Sequence, residues 1–434
     1  MNTNYIKGKK NLQSSIFFLL FLVTQLIFAQ SGCTDPLANN YDSSASTNDG
    51  SCTYDQANVI PSTSDLLDPV VAESSGVILW DNKLWTHNDN ENSAVIYALD
   101  VNDFSNISSI DLPSISNVDW EEIAQDSNHI YIGDFGNNST GNRTDLTIYK
   151  ISKASITNGN PVIENINFSY EDQTDFSEQS GNTTNFDCEA MIVRGSSIYL
   201  FTKEWTNQET SVYTLPNAAG TYSASNLGSY DIEGLITGAT HVDGEQLIVL
   251  TGYGLEIVSL IPLSIAPNSF LVLLYDFQGN DFFSGNKRKV DFNGQDMLQV
   301  EGIAASENSN FYLTNERYNQ SNVDTPAQIH DVDLSLFLSD FLSTNDFYSK
   351  LEKISAFPNP LDENGRINLN IPKRYQGKKA TFEIYDVFGR QIFQEIIESL
   401  LRTETLDLSK QPSGTYLMKI NIGVENQNLK LIKI

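Results

Sequence analysis

Val300-Glu301-Gly302-Ile303-Ala304, a short polar turn, then Phe311-Tyr312-Leu313-Thr314-Asn315: two apolar runs joined in this way recur along the chain. The pattern returns as Trp120-Glu121-Glu122-Ile123-Ala124 with Ile130-Tyr131-Ile132-Gly133-Asp134, and as Cys188-Glu189-Ala190-Met191-Ile192 with Ile198-Tyr199-Leu200-Phe201-Thr202. Looser copies begin at Ser75-Gly76-Val77-Ile78 and Thr237-Gly238-Ala239-Thr240. Each copy is a carboxylate or hydroxyl, a small or acidic residue, an apolar strand, a tight turn and a second apolar strand. A unit repeating at intervals of roughly 50–70 residues signals a repeat architecture, and strands rather than helices make it a β-propeller.

Further strands follow each hairpin. A third reads at 94–99, 146–151, 211–215, 254–260 and 327–332, with Tyr97, Tyr149 and Tyr213 at matching places. A fourth reads at 107–112, 165–170, 227–232 and 289–292, which makes four antiparallel strands per unit, the content of one blade. Five units are legible, and residues 261–285 leave room for a sixth. The last unit lacks a fourth strand of its own, and the segment around 58–60 is expected to supply it and close the ring without a free edge. The propeller thus spans residues 57–342 and has five or six blades.

The chain has 434 residues, 40% of them hydrophobic and 11% aromatic, enough for two or three cores. Its formal charge of −29 is unevenly spread: residues 31–349 hold 45 acidic and 10 basic side chains, residues 350–434 only 10 and 13. That step marks a junction between two modules near residue 350. A body so acidic repels phosphate backbones, so nucleic acid is not an expected partner. The acidity reads as a solvated surface, or as attraction of cations at particular carboxylate clusters.

At the N-terminus Lys7, Lys9 and Lys10 precede an apolar run over 16–28 that ends in Ala29. The run is shorter than the roughly 20 residues of a membrane span. Residues 1–30 therefore read as a secretory signal peptide, cleaved after Ala29 or Gln30 and leaving no transmembrane span. A lipoprotein signal acylated at Cys33 is the rival reading, against which stands the poorly matching Gln30-Ser31-Gly32. Residues 31–56 form a compact segment bracketed by Cys33 and Cys52, the expected disulfide of an exported chain. Asp35, Asp42 and Asp49, with Asn39, Asn48 and the turn residue Gly50, offer oxygen ligands at short intervals, so a calcium site and a metal-free knot both fit. The segment resembles the GCTDP…DGSC modules of exported proteins that carry a type IX sorting tail.

Beyond a linker at 343–353, four motifs follow in order: Phe357-Pro358-Asn359-Pro360, Ile384-Tyr385-Asp386-Val387-Phe388-Gly389-Arg390, Pro412-Ser413-Gly414-Thr415-Tyr416-Leu417-Met418-Lys419-Ile420, and Leu431-Ile432-Lys433-Ile434. Residues 354–434 resemble the type A C-terminal sorting domain of the type IX secretion system. The resemblance implies a small Ig-like β-sandwich, partners in the type IX translocon and its sorting protease, and a final place anchored at the outer-membrane surface or outside the cell. Independently, Arg366-Ile367-Asn368-Leu369-Asn370-Ile371 alternates as a half-buried strand does.

Counting outward from each turn sets Glu301 opposite Asn315, Glu121 opposite Asp134, Glu189 opposite Thr202, Ser75 opposite Asn88 and Thr237 opposite Gly252. If the first strands line the central channel, one mouth collects Glu121, Glu189, Glu301, Asp134 and Asn315. His87, Asp89, Lys203, Glu316 and Arg317 follow just beyond the second strands. Carboxylates gathered there could hold a cation, calcium being the cofactor implied, or flank an unknown ligand, and crowding raises their proton affinity as general acid chemistry requires. The competing reading has each Glu accepting backbone N–H groups of the next blade and locking the ring. The repeat pattern also resembles esterase-like phytase and SdiA-regulated-like propellers. That resemblance implies, as an alternative to a binding protein, a calcium-assisted secreted hydrolase of the phytase or phosphodiester class. Such an enzyme needs basic side chains for phosphate, and Arg143, Lys203 and Arg317 are the ones suitably placed in sequence. No histidine pair has zinc-ligand spacing, no nucleophile elbow or phosphate loop is present, and Cys188 reads as a small buried residue.

Overall fold

The apolar runs of the repeat lack polar alternation because both of their faces are covered. Ile130 and Ile132 enter one core while Tyr131, between them, enters the next. Ile198 and Leu200 likewise alternate with Tyr199 and Phe201. A strand buried on both sides belongs to a stack of sheets. The computed structural model of the protein describes residues 30–433 other than 90–91, 243–245, 261–262, 294–297, 307–308, 321–322, 345–353, 358, 360, 362–364, 373–374, 388 and 423–424. The expected signal peptide, apart from Gln30, and most of the expected linker lie outside the described residues.

Among the described residues, five four-stranded blades make the ring. Blade 1 is Ser74–Trp80, Lys83–Asn88, Val95–Asp100 and Asp103–Asp111; blade 2 is Trp120–Gln125, His129–Asp134, Thr147–Ser152 and Ile163–Tyr170. Blade 3 is Cys188–Arg194, Ser197–Thr202, Glu209–Pro216 and Gly220–Asp231; blade 4 is Leu235–His241, Leu247–Leu260, Leu263–Tyr275 and Asn286–Phe292. Blade 5 is Val300–Ala305, Asn310–Asn315, Gln328–Asp333 and, from the other end of the domain, Ser62–Leu66. The first strands of successive blades lie side by side, and that of blade 5 lies against that of blade 1. Five apolar clusters fill the five gaps between neighbouring blades. Helix Ser335–Thr344 adds Leu338 and Phe341 to the one between blades 4 and 5.

Two expectations are corrected. The ring is closed by residues 62–66, antiparallel to Gln328–Asp333, while Ala57–Val59 adds a parallel outer strand to blade 4. Residues 254–260 continue the second strand of blade 4 rather than forming its third, which is Leu263–Tyr275, and among the described residues of 261–285 there is no sixth blade. Both strands of that hairpin simply run longer than their counterparts, so the spacing between units stretches without an added sheet.

The N-terminal segment carries the Cys33–Cys52 disulfide and is docked on blade 4. Asp35 accepts hydrogen bonds from Tyr54 at 2.7 Å and from Tyr275 of blade 4 at 2.5 Å. Asn48 donates to Asp276 and Asn286, and Lys287 donates to the Gly50 carbonyl.

The C-terminal module packs two antiparallel sheets around one apolar core: Ser355–Phe357, Arg366–Asn370 and Thr403–Asp407 in one; Gln391–Ile397, Ala380–Tyr385, Gly414–Ile422 and Glu425–Lys433 in the other. Its motif residues have local work. Asn359 donates to the Lys430 carbonyl and accepts from Ile432 N–H, stapling the first motif to the last strand. Gly389 takes φ +76° in a turn held by Asp386, which accepts from the backbone and side chain of Arg390. The Lys433 ammonium donates to the carbonyls of Leu408, Ser409 and Gln411.

Candidate functional site

The start of every first strand is irregular in the same way. Trp120, not Glu121, lies opposite Asp134; Cys188 lies opposite Thr202, Val300 opposite Asn315, Ser74 opposite Asn88 and Ile236 opposite Gly252. Just after each of these residues the first strand carries one more residue than its partner, a β-bulge. This corrects the pairing counted from the turns by one residue. The bulge holds Glu121, Glu189, Thr237 and Glu301 in blades 2 to 5, and falls within Ser75-Gly76 in blade 1. A bulge re-aims the side chain it carries.

The bulged hydroxyls and the bulged carboxyls do different work. Ser75 Oγ donates to the Glu121 carbonyl at 2.7 Å, and Thr237 Oγ1 to the Val300 carbonyl at 2.6 Å, each tying its blade to the next. Glu121, Glu189 and Glu301, in the same place on blades 2, 3 and 5, instead gather at the mouth, close enough for their charges to act on one another. The flanking positions join them. Within a blade, the residue after the second strand donates its N–H to the carbonyl of the residue before the first: Asp89 to Glu73 at 3.0 Å, Phe135 to Asp119 at 3.1 Å, Lys203 to Asp187 at 2.7 Å and Glu316 to Gln299 at 3.0 Å. Tyr253 takes the same place in blade 4, opposite Leu235.

These groups sense one another. Glu121, Glu189 and Glu301 are each at most 4% exposed. Burial, then the charges of Glu189, Asp89, Asp119 and Asp187, lift Glu121 well above the usual carboxylate range. Burial pushes Glu301 up to about 7, against the pull of Lys203. Burial and the charges of Glu301 and Asp89 raise half-buried Glu316. Burial would strip the Lys203 proton, but Glu189, Tyr253, Glu301 and Asp187 hold it on. Its ammonium is 3.1 Å from Glu189 Oε1 and lies over the rings of Trp205 and Tyr253, at 5.0 and 5.2 Å. Gln299 donates to Glu301 Oε1 at 2.8 Å and to Glu316 at 3.0 Å. Glu301 Oε2 is buried with no hydrogen-bond partner among the described residues. Asp187 is braced by Asn137 N–H and the Trp205 indole.

The ring-locking role expected of the bulged glutamates belongs to the next residue. Glu122 is fully buried and accepts N–H groups from Ile123, from Met191 of blade 3 and from Ala239 of blade 4. The equivalent residues elsewhere are Gly76, Ala190, Gly238 and Gly302, and a Cβ at Gly76 would stand 2.5 Å from Glu122 Oε1, so the bare glycine makes room for it.

Other expected site residues lie elsewhere. Asp134 is occupied by Val118 and Asp119 N–H and by Arg143, so it braces the loop before blade 2 instead of facing the mouth. Asn315 is consumed within blade 5, donating to the Glu316 and Pro326 carbonyls and bonding His330. His87 is buried edge-on against Trp120, and burial pushes it down to about 4, so it is a neutral packing group. Arg317 is exposed and paired with Asp324, and Arg143 is paired with Asp134 and Asp145. Asp35, Asp42 and Asp49 do not converge as metal ligands: Asp35 is held by Tyr54 and Tyr275, while Asp42 and Asp49 cap Ser44 and Ser51 in separate turns. Among the described residues, the acidic group with ligand spacing is Asp89, Asp119 and Glu121. Asp119 was legible, since Asp precedes the strand in both blades 2 and 3.

Solved structures similar to this chain include the Bombyx mori GH32 β-fructofuranosidase BmSUC1, at 12% identity and TM-score 0.33, covering 86% of this chain and 84% of that one. Another is MPT-4, a mannose phosphorylase from Leishmania mexicana, at 8% identity and TM-score 0.38, covering 65% and 90%. No curated protein matches, so the resemblance to phytase-like propellers has no named relative beside it. Residues 355–434 match the family described as the secretion system C-terminal sorting domain. Its last 80 residues thus mark this as a protein secreted through the type IX system.

Proposed function

We propose that this protein is a β-propeller, anchored at the outer-membrane surface or released, that binds a positively charged ligand at the mouth of its channel. The observation carrying this reading is the charge balance there. The charges of Asp89, Asp119, Asp187 and Glu189 bear on Glu121 and those of Glu301 and Asp89 on Glu316, while the Lys203 ammonium is held by Glu189, Glu301 and Asp187; Glu301 Oε2 is buried without a hydrogen-bond partner among the described residues. Buried carboxylates must be protonated or met by positive charge. A cationic ligand supplies that charge and recovers their desolvation cost. The hydrolase alternative finds less support, because Arg143, Lys203 and Arg317 are each already paired with carboxylates.

Calorimetry with spermine as a generic cationic probe tests the reading. Binding should strengthen from pH 6 to 8 as Glu301, pushed up to about 7, ionises. Glu301→Gln combined with Glu316→Gln should weaken it by about tenfold, the worth of one charge-assisted contact. Absence of binding by spermine and by calcium alike at pH 8 and low salt would remove the proposal.

A further inference from the structure

We infer that a cavity between the Cys33–Cys52 segment and blade 4, at the end of that blade away from the mouth, binds a neutral glycan. The first strand of blade 4 starts at the mouth and ends at His241, so the turn before Leu247 and the turn after Tyr275 both lie at the opposite end. Asp276 N–H donates to the Gln246 carbonyl at 3.2 Å and joins the two turns. Together with the N-terminal segment they enclose a cavity of about 690 Å³, within the about 300–1,000 Å³ of small-ligand sites.

Directional bonds set the distance between the segment and the blade. Thr34 donates to Asp276 at 2.8 Å, and Asn48, 8% exposed, donates to Asp276 at 3.0 Å and to Asn286 at 2.8 Å. Tyr275 donates to Asp35 from the blade side. Protein interiors seldom keep voids larger than a water molecule, so a gap of this size between two firmly docked bodies calls for a ligand.

The walls decide the ligand class. Small-molecule sites are mostly apolar, whereas the buried floor here is polar and internally bonded. Asp35 accepts from Leu37 N–H, Tyr54 and Tyr275, so with Asp276 it is engaged by neutral donors instead of being left for a cation. Among the described residues no lysine, arginine or histidine lines the cavity, which leaves nothing to attract phosphate, sulfate or carboxylate. At the rim stand the exposed Gln246 and Gln278, whose amides both donate and accept. Tyr41, 45% exposed, adds a flat apolar ring at the opening. A sugar is the complement of such walls, with hydroxyls that donate and accept around its edge and a face of C–H groups that lies on an aromatic ring.

Calorimetry on the full chain with a panel of neutral trisaccharides (cellotriose, maltotriose, laminaritriose, xylotriose and mannotriose) tests the site. At least one should bind with a Kd below about 1 mM. Tyr41→Ala, and Gln246→Ala combined with Gln278→Ala, should each weaken that binding by about tenfold or more. All three side chains are exposed, so these variants should melt with the unaltered chain, and a loss of binding then reports the site. Glu301→Gln with Glu316→Gln, at the mouth, should leave glycan affinity within about twofold. Binding by no member of the panel below about 10 mM overturns the inference. So does binding that Tyr41→Ala and the glutamine pair both leave unchanged. Neither result bears on spermine binding at the mouth, which stands or falls separately.

Discussion

Glu121 and Glu122 are adjacent, chemically identical and assigned opposite work by one β-bulge. Glu122 is a structural acceptor, so Glu122→Ala leaves N–H groups of blades 2, 3 and 4 buried without partners. A loss of about 3–5 kcal/mol is expected, read as a lower denaturation midpoint; a change under about 1 kcal/mol would refute that role. Glu301 makes a different prediction. Its proton affinity is raised in the fold to about 7, so below its ordinary value of 4.5 it contributes fully to stability, and this is lost as pH rises through 7. The melting temperature of ligand-free protein should therefore fall between pH 5 and 8, less steeply in Glu301→Gln. An equal slope in that variant would assign the effect to other groups.

At the scale of elements, the recurring bulge is followed by a small residue in every blade but the second, where Glu122 stands. A Cβ at Gly238 would stand 2.3 Å from the Glu301 carbonyl oxygen, and backbone cannot step aside as a flexible side chain can. Gly238→Ala should cost about 1–3 kcal/mol and disturb the mouth together with the ring. Retained stability with unaltered spermine binding would show that blades 4 and 5 tolerate separation there. The repeat was legible because each strand sits between two cores, which forces continuous apolar runs. The register was not, because a bulge adds a residue without altering the apolar pattern that reveals the strand. The expected partners were therefore one place off, and Asp134 was assigned to the mouth when Trp120 is the residue across from it.

For the whole molecule, the sorting module and the proposed binding mouth occupy separate modules. The sorting sandwich has its own core, and the propeller closes on itself through residues 62–66. Deleting residues 354–434 should leave a folded propeller with unchanged spermine affinity but hold it in the periplasm, as cell fractionation would show. The truncated chain appearing outside the cell at the full-length level would refute the routing.

The sequence alone determined the β-propeller and the Cys33–Cys52 bridge, because periodic burial and cysteine bracketing act over short stretches of chain, and its last four motifs carried the resemblance to a sorting module. Only the tertiary structure decided which acids meet. Glu121 reaches Asp89 because blade 1 lies beside blade 2, and Glu122 reaches Ala239 because the ring brings blade 4 within its span. Such convergence comes from closing the ring, and a linear chain carries no local signal of it.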